Sequence, residues 1–339
     1  MLLEMPYFEH YSVKTIEEAL SILHEHKEKA TVIAGSTDLL GLMKDRVEGP
    51  QLKVPEILVD IKSIPELDQI VYDEKRGLRI GSTVTLRSIE TSDLIRSRFS
   101  ILSQAAHQVG STQIRNMGTV GGNLCQRPRC MYFRHPHFIC YKKGGGTCYA
   151  ITGEHRDHHS ILNLGRCVMA HPSDMATALL ALKAKVVISG FEREKTIPIQ
   201  DFFQGPSSYK ETILLSDEIV KEVQVPEPKP SAHQVFLKHR IRRSIDFALS
   251  SVATVVQVQD GVIQDVSLVL GGIAPLPYVA SKAEENMIGR KLGDELIEET
   301  AEISLEEARP LQMNHYKVEL TKGLVRRALK SVRVQSLIK

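Results

Sequence analysis

The sequence predicts an α+β protein, and three observations carry that reading. Short β-branched runs alternate with helix-period segments near the N-terminus. An Asp260-Gly261 pair joins two long apolar runs, and Pro226, Pro228 and Pro230 interrupt the chain at alternate positions. Asp-Gly between apolar runs is a strong hairpin signal. Prolines spaced this way disfavour helix and cannot sit in a central strand.

Each element follows from local pattern. Thr15-Ile16-Glu17-Glu18 reads as a capping box, with Ala19, Leu20 and Leu23 continuing at helical spacing. The run Thr31–Ala34 predicts a strand entering the small-residue turn Gly35-Ser36-Thr37-Asp38 and then an apolar helix. Glu56–Ile61 predicts a second strand, so the pair frames a small βαβ unit. Leu78–Ile80, continued by Gly81–Thr85, reads as a hairpin piece, as do Val186–Ile188 and Thr196–Ile199. Helices are expected near Ile101–Val109 and Met175–Lys185, the second with its polar cap among Pro172-Ser173-Asp174. Beyond the prolines, Ser251–Gln259 and Val262–Leu270 form the predicted hairpin. Helix-period segments at Leu292–Leu311 and His315–Leu329 close the chain.

Composition narrows the function classes. Hydrophobic residues make up 42% of the 339, which excludes wholesale disorder. A net charge of +2 lacks the basic surplus of a nucleic-acid binder. No apolar run approaches the roughly 18 residues that span a bilayer. The opening Met1–Glu9 has no basic n-region and carries acid early, so the chain reads as soluble and cytoplasmic.

Cys125, Cys130, Cys140, Cys148 and Cys167 all fall within one short stretch, together with His135, His137, His155, His158, His159 and His171. An odd count without a leader argues against a disulfide framework. Clustered thiolates suit tetrahedral zinc or an iron–sulfur cluster, and the spacing C-x4-C-x9-C-x7-C-x18-C leaves the metal open. The histidines have no metal-binding frame and read mostly as surface or supporting residues. Two glycine loops, Ala34–Asp38 and Gly118–Asn123, let backbone N–H groups approach an anion. Neither matches a Rossmann or Walker pattern, so each is also readable as a tight turn. Gly144-Gly145-Gly146 reads as a flexible turn. Asp174 reads locally as a helix cap, and the basic run Lys238–Arg243 as a solvated face or a cofactor-phosphate partner.

Taken in order, Ala34–Leu40, Ile114–Asn123, His171–Asp174, Lys238–Ala248 and Gly271–Pro277 resemble the FAD-binding medium subunits of the molybdenum hydroxylases, the xanthine dehydrogenase and carbon monoxide dehydrogenase group. The resemblance implies a vanillyl-alcohol-oxidase-type (PCMH-type) FAD fold. Residues 1–225 would form the FAD domain, with subdomains 1–60 and 61–225. A linker at 226–231 and a C-terminal antiparallel sheet with helices at 232–339 would follow. It places FAD against Val32, Ile33, Ala34, Gly35, Ser36, Thr37, Asp38 and Leu39, against Gly110, and against Thr119, Val120, Gly121, Gly122 and Asn123. Asp174 and Lys238 match further cofactor-contacting positions. Ser36 departs from the family, which usually has glycine there.

The Cys-rich insertion at about 125–168 is similar to that of 4-hydroxybenzoyl-CoA reductase β subunits and a bacterial aldehyde oxidoreductase flavin subunit. That similarity implies a [4Fe–4S] cluster on Cys130, Cys140, Cys148 and Cys167, with Cys125 a free thiol. The implied role is electron transfer. Substrate would react at a molybdenum cofactor on a large subunit, a [2Fe–2S] small subunit would relay electrons to FAD, and a ferredoxin-like protein would be the outer partner. No catalytic residue, nucleic acid or membrane partner is expected on this chain. A self-contained flavin oxidase and a zinc-stabilised binding module are the competing readings.

Overall fold

The computed structural model describes residues 4–162 and 165–337; Met1 to Leu3, where the leader expectation begins, lie outside them. The first unit is a three-stranded parallel sheet in the order β1-β3-β2, made of β1 (Glu9–Ser12), β2 (Ala30–Ile33) and β3 (Ile57–Asp60). Helix α1 (Ile16–His26) buries Ile16, Ala19, Leu20 and Leu23 against Ile57 and Val59, as the i, i+3, i+4, i+7 spacing requires. Thr15 caps it, accepting from the Glu18 N–H at 3.1 Å. The other arm of the expected capping box is displaced by one residue, because the Glu18 carboxylate accepts from the Lys14 N–H. At the end of β2 the glycine loop leads into α2 (Leu39–Lys44).

The second unit is a five-stranded antiparallel sheet of β4 (Ile70–Asp73), β5 (Gly77–Gly81), β6 (Lys185–Gly190), β7 (Glu194–Pro198) and β8 (Glu218–Val225), in the order β4-β5-β8-β6-β7. The expected continuation of β5 through Thr85 does not form. The strand ends at Gly81, where a Cβ would lie 2.1 Å from the Leu67 carbonyl oxygen, and Thr85 instead caps α3 (Leu86–Thr91). Five short helices follow: α4 (Asp93–Arg98), α5 (Ser100–Gln108), α6 (Thr112–Met117), α7 (Val120–Leu124) and α8 (Met131–Arg134). Helix α9 (Asp174–Ala181) is buried along its entire length, which explains its all-round apolar composition. Ser173, not Asp174, caps it, accepting from the Ala176 N–H at 3.0 Å.

The third unit is the antiparallel sheet β12-β11-β10-β9, built from β9 (Ala232–His239), β10 (Ser250–Gln259), β11 (Val262–Gly271) and β12 (Tyr278–Val279). Asp260 and Gly261 have φ of 51° and 75°, the double left-handed geometry that two-residue hairpin turns demand. Both faces are covered. Phe236, Ala253 and Val269 join the core with α5 and α9, while Val235, Val252, Leu268 and Leu270 face the terminal helices. Those helices are α10 (Ser281–Met287), α11 (Asp294–Ile303) and α12 (Tyr316–Leu337). The helix expected over 292–311 is therefore shorter. After Ile303 the chain leaves the helix, and the Arg309 and Met313 N–H groups bond to Ile161 O and His155 Nε2 of the Cys-rich segment. No helix among the described residues is long and apolar enough to cross a membrane.

Candidate cofactor sites

The two glycine loops meet. A Cβ on Gly35 would stand 2.3 Å from the Met117 carbonyl oxygen, and one on Gly121 would stand 2.8 Å from the Ser82 side chain. Only glycine allows these approaches. Gly122 is open on its other side, where a Cβ would meet only Thr119 Oγ1. Ser36 sits at φ 62°, in the left-handed region where glycine is preferred. Thr119 caps α7 by accepting the Gly122 N–H, and Asn123 Oδ1 accepts from the Ser173 hydroxyl at 2.6 Å.

Above these loops runs an open cleft. Of the residues expected to contact a cofactor, Thr37, Asp38, Gly110, Thr119, Gly122 and Asn123 line it. The opposite wall, unanticipated from sequence, carries Arg129 and Phe247, with the guanidinium 4.3 Å above the ring centroid. Burial draws the Arg129 pKa down to about 10, so the group remains cationic at neutral pH. Backbone N–H groups, a cation and an aromatic face form a donor set suited to a nucleotide cofactor with a planar ring.

Next to that wall lies a second, much tighter pocket, lined among others by Cys130, Cys140, Cys148 and Cys167. Cys125 is not among its lining residues and instead packs against the main hydrophobic core, where burial pushes its thiol up to about 12. Cys148 and Cys167 are close enough to share a hydrogen bond, which lowers the former's pKa to about 6 and raises the latter's. Among the described residues, no three His, Cys, Asp or Glu side chains converge as a single metal ion requires. Zinc would need its four sulfurs about 2.3 Å from one point. In a cluster each thiolate takes a different iron, so four cysteines around one pocket need not meet at a single point. Two buried ammonium groups attend the site. Lys142 lines it and Lys143 donates to the His135 carbonyl at 2.8 Å, supplying positive charge beside the thiolates.

Asp38 joins the two sites. It makes no cap bond to α2; its carboxylate instead accepts from the Arg127 N–H at 2.8 Å and from the Arg129 and Arg134 guanidinium groups at 2.9 and 2.6 Å. Neighbouring residues Arg129 and Cys130 thus face the cleft and the cysteine cavity respectively.

Residues 6–228 match the family described as the FAD binding domain in molybdopterin dehydrogenase, and residues 236–332 match the CO dehydrogenase flavoprotein C-terminal domain. The chain belongs to the FAD-binding subunits of the molybdenum hydroxylases. This flavoprotein is 33% identical to the aldehyde oxidoreductase FAD-binding subunit PaoB of Escherichia coli (strain K12), over 98% of its own length and 100% of the relative's. It is 30% identical to the nicotinate dehydrogenase FAD-subunit of Eubacterium barkeri, over 95% of each chain. Its fold matches a chain of the carbon monoxide dehydrogenase from Hydrogenophaga pseudoflava with a TM-score of 0.78 at 23% identity, covering 98% and 99% of the two chains.

Other expected contacts of the flavoprotein lie away from the cleft surface. Val32, Ile33, Ala34, Gly35, Ser36, Leu39, Val120 and Gly121 shape the loops without lining the cleft. Asp174 and Lys238 form a buried ion pair at 2.6 Å, with side chains 4% and 1% exposed. Burial raises the Asp174 carboxyl while the Lys238 ammonium works against that rise. Lys238 also donates to the Gln108 carbonyl, so the structure couples it to protein groups. The histidines divide. His135 and His137 are exposed, whereas His155, His159 and His171 are buried. Gly144-Gly145-Gly146 is a packed turn: a Cβ on Gly145 would lie 1.9 Å from the Ile139 carbonyl oxygen.

Proposed function

We propose that this flavoprotein subunit holds FAD in the cleft between its glycine loops and a [4Fe–4S] cluster on Cys130, Cys140, Cys148 and Cys167, and serves as an electron-transfer subunit. The observation that carries the cluster reading is the convergence of four cysteines on one cavity, with the fifth excluded from it. FAD supplies exchange between one- and two-electron chemistry, and the cluster a one-electron site. The chain's own contribution is placement. Asp38 clamps the arginines of the Cys-rich segment onto the first glycine loop, and the Arg129–Cys130 step brings the two sites side by side. Lys142 and Lys143 offset the negative charge of the thiolates, and the apolar wall of Phe133 and Met169 excludes water.

The partners in this reading are a [2Fe–2S] small subunit and a large subunit that binds the molybdenum cofactor and the substrate, an aldehyde, a purine or an aromatic acyl-CoA. Relatives named as medium chains of carbon monoxide dehydrogenase support that subunit arrangement. A ferredoxin-like carrier completes the set, in the cytoplasm. Iron, sulfide and flavin are to be quantified after anaerobic purification of wild type, Cys125→Ala and Cys140→Ala. The expected result is four irons and one FAD per chain in wild type and Cys125→Ala, with iron lost and FAD retained in Cys140→Ala. FAD with zinc, or without metal, would overturn the cluster assignment.

A further inference from the structure

We infer that His159 is a positioning residue for the cysteine-bound cluster: its ring Nε2–H donates to the Cys130 sulfur and raises the reduction potential of the cluster held there. The inference rests on the cluster reading above. His159 Nε2 stands 3.2 Å from Cys130 Sγ, within a side chain only 3% exposed. A metal-bound thiolate offers only lone pairs, so the ring must be the donor once iron is present. The other ring nitrogen, Nδ1, is buried and makes no well-formed hydrogen bond. The contact with a metal-bound thiolate therefore assigns a proton to Nε2.

The contact is built into the fold. The backbone carrying His159 is gripped by α12 and the residues before it. Lys317 Nζ donates to the carbonyls of Asp157, His159 and Gly272 at 2.9, 3.0 and 2.7 Å, and Asn314 donates to Ser160 O at 3.1 Å. Neither Lys317 nor Asn314 is measurably exposed. The backbone that carries the imidazole therefore cannot shift without unmaking a buried network. A hydrogen bond to a cluster sulfur stabilises the reduced, more negative state over the oxidised one, which is how such bonds set cluster potentials.

The test is an EPR-monitored redox titration of the full-length chain, anaerobically purified, for wild type, His159→Leu and His159→Gln. Losing the donor should make the reduced cluster about tenfold less favoured in His159→Leu, a fall of about 59 mV for a one-electron couple. His159→Gln, which keeps an N–H at the end of its side chain, should recover part of that shift. Pulsed EPR on wild-type protein labelled with ¹⁵N-histidine should show a nitrogen coupled to the reduced cluster, and this measurement decides the matter if His159→Leu fails to retain iron. An unmoved potential at full iron content, or no nitrogen coupling in wild type, would overturn the inference while leaving the cluster in place. Wild-type protein with FAD but no iron would overturn the cluster reading and this inference with it.

Discussion

Ser36 occupies a left-handed backbone position, φ 62°, at the point where the first glycine loop turns beneath the cleft. For a residue with a Cβ that conformation costs about 1–2 kcal/mol. Glycine would remove the strain, with part of the gain offset by its greater freedom in the unfolded chain. Its hydroxyl bonds only locally, to the Ala34 carbonyl at 3.2 Å. Ser36→Gly should therefore raise stability by roughly 0.5 kcal/mol, read from the urea midpoint, with flavin content unchanged. A loss of bound flavin would mean that the hydroxyl itself serves the cofactor. The same backbone angle accounts for the family's usual glycine here. The sequence comparison exposed the departure, and only the dihedral explains why serine is tolerated at a cost.

Between elements, the Asp174–Lys238 pair fastens the start of α9 to β9 in a region closed to solvent. Removing one partner of a buried pair leaves an uncompensated charge, at about 3–5 kcal/mol, whereas removing both charges together is far milder. Lys238→Met should accordingly lower stability by about 3 kcal/mol, and Asp174→Asn combined with Lys238→Met should restore much of it. If Lys238 instead served a cofactor phosphate, FAD affinity would fall in both variants without rescue. Sequence reasoning marked both residues, but their mutual partnership needs the packing of helix on sheet to be seen. Legibility tracked local pattern throughout. The Asp260-Gly261 turn and the apolar stripe of α1 were readable because their determinants lie within a few residues. Strand β1, Glu9–Ser12, is exposed at every position and carries no alternation to read. Arg129 and Phe247 stack on each other in one wall of the cleft from segments more than a hundred residues apart, so nothing local announces that wall.

Across the whole molecule, buried neutral histidines set the acid limit. His171 is fully enclosed against Phe203, and burial, aided by the nearby Lys142 ammonium, lowers its pKa to about 3. The unfolded chain takes up a proton near the ordinary value of 6.5, and the folded chain does not until about 3. The unfolded state thus binds more protons over that interval, and stability falls as pH drops below 6.5. This one residue should remove about 1.4 kcal/mol by pH 5.5. Urea titrations between pH 7.5 and 5.5 should show at least that slope, and His171→Leu should reduce it by His171's share, leaving that of the likewise buried His159. A slope unchanged in the variant would assign the acid loss to other groups. Such a dependence was out of reach of the sequence, where His171 was one of six clustered histidines with nothing to separate buried from exposed.

The grip of Lys317, Asn314 and the Met313 N–H on the Cys-rich segment also has a bearing on biogenesis. A ribosome finishes all five cysteines long before it makes these partners, which lie more than a hundred residues further on. Until then the carbonyls of Asp157, His159 and Gly272 lack their shared donor, and the loop bearing the thiols has no completed seat. The N-terminal sheet and the glycine loops, by contrast, depend on nothing so late. The cleft is lined by residues no later than Phe247, whereas the seat of the sulfur pocket is complete only once α12 has docked, so under the proposed cluster reading iron would enter after that docking.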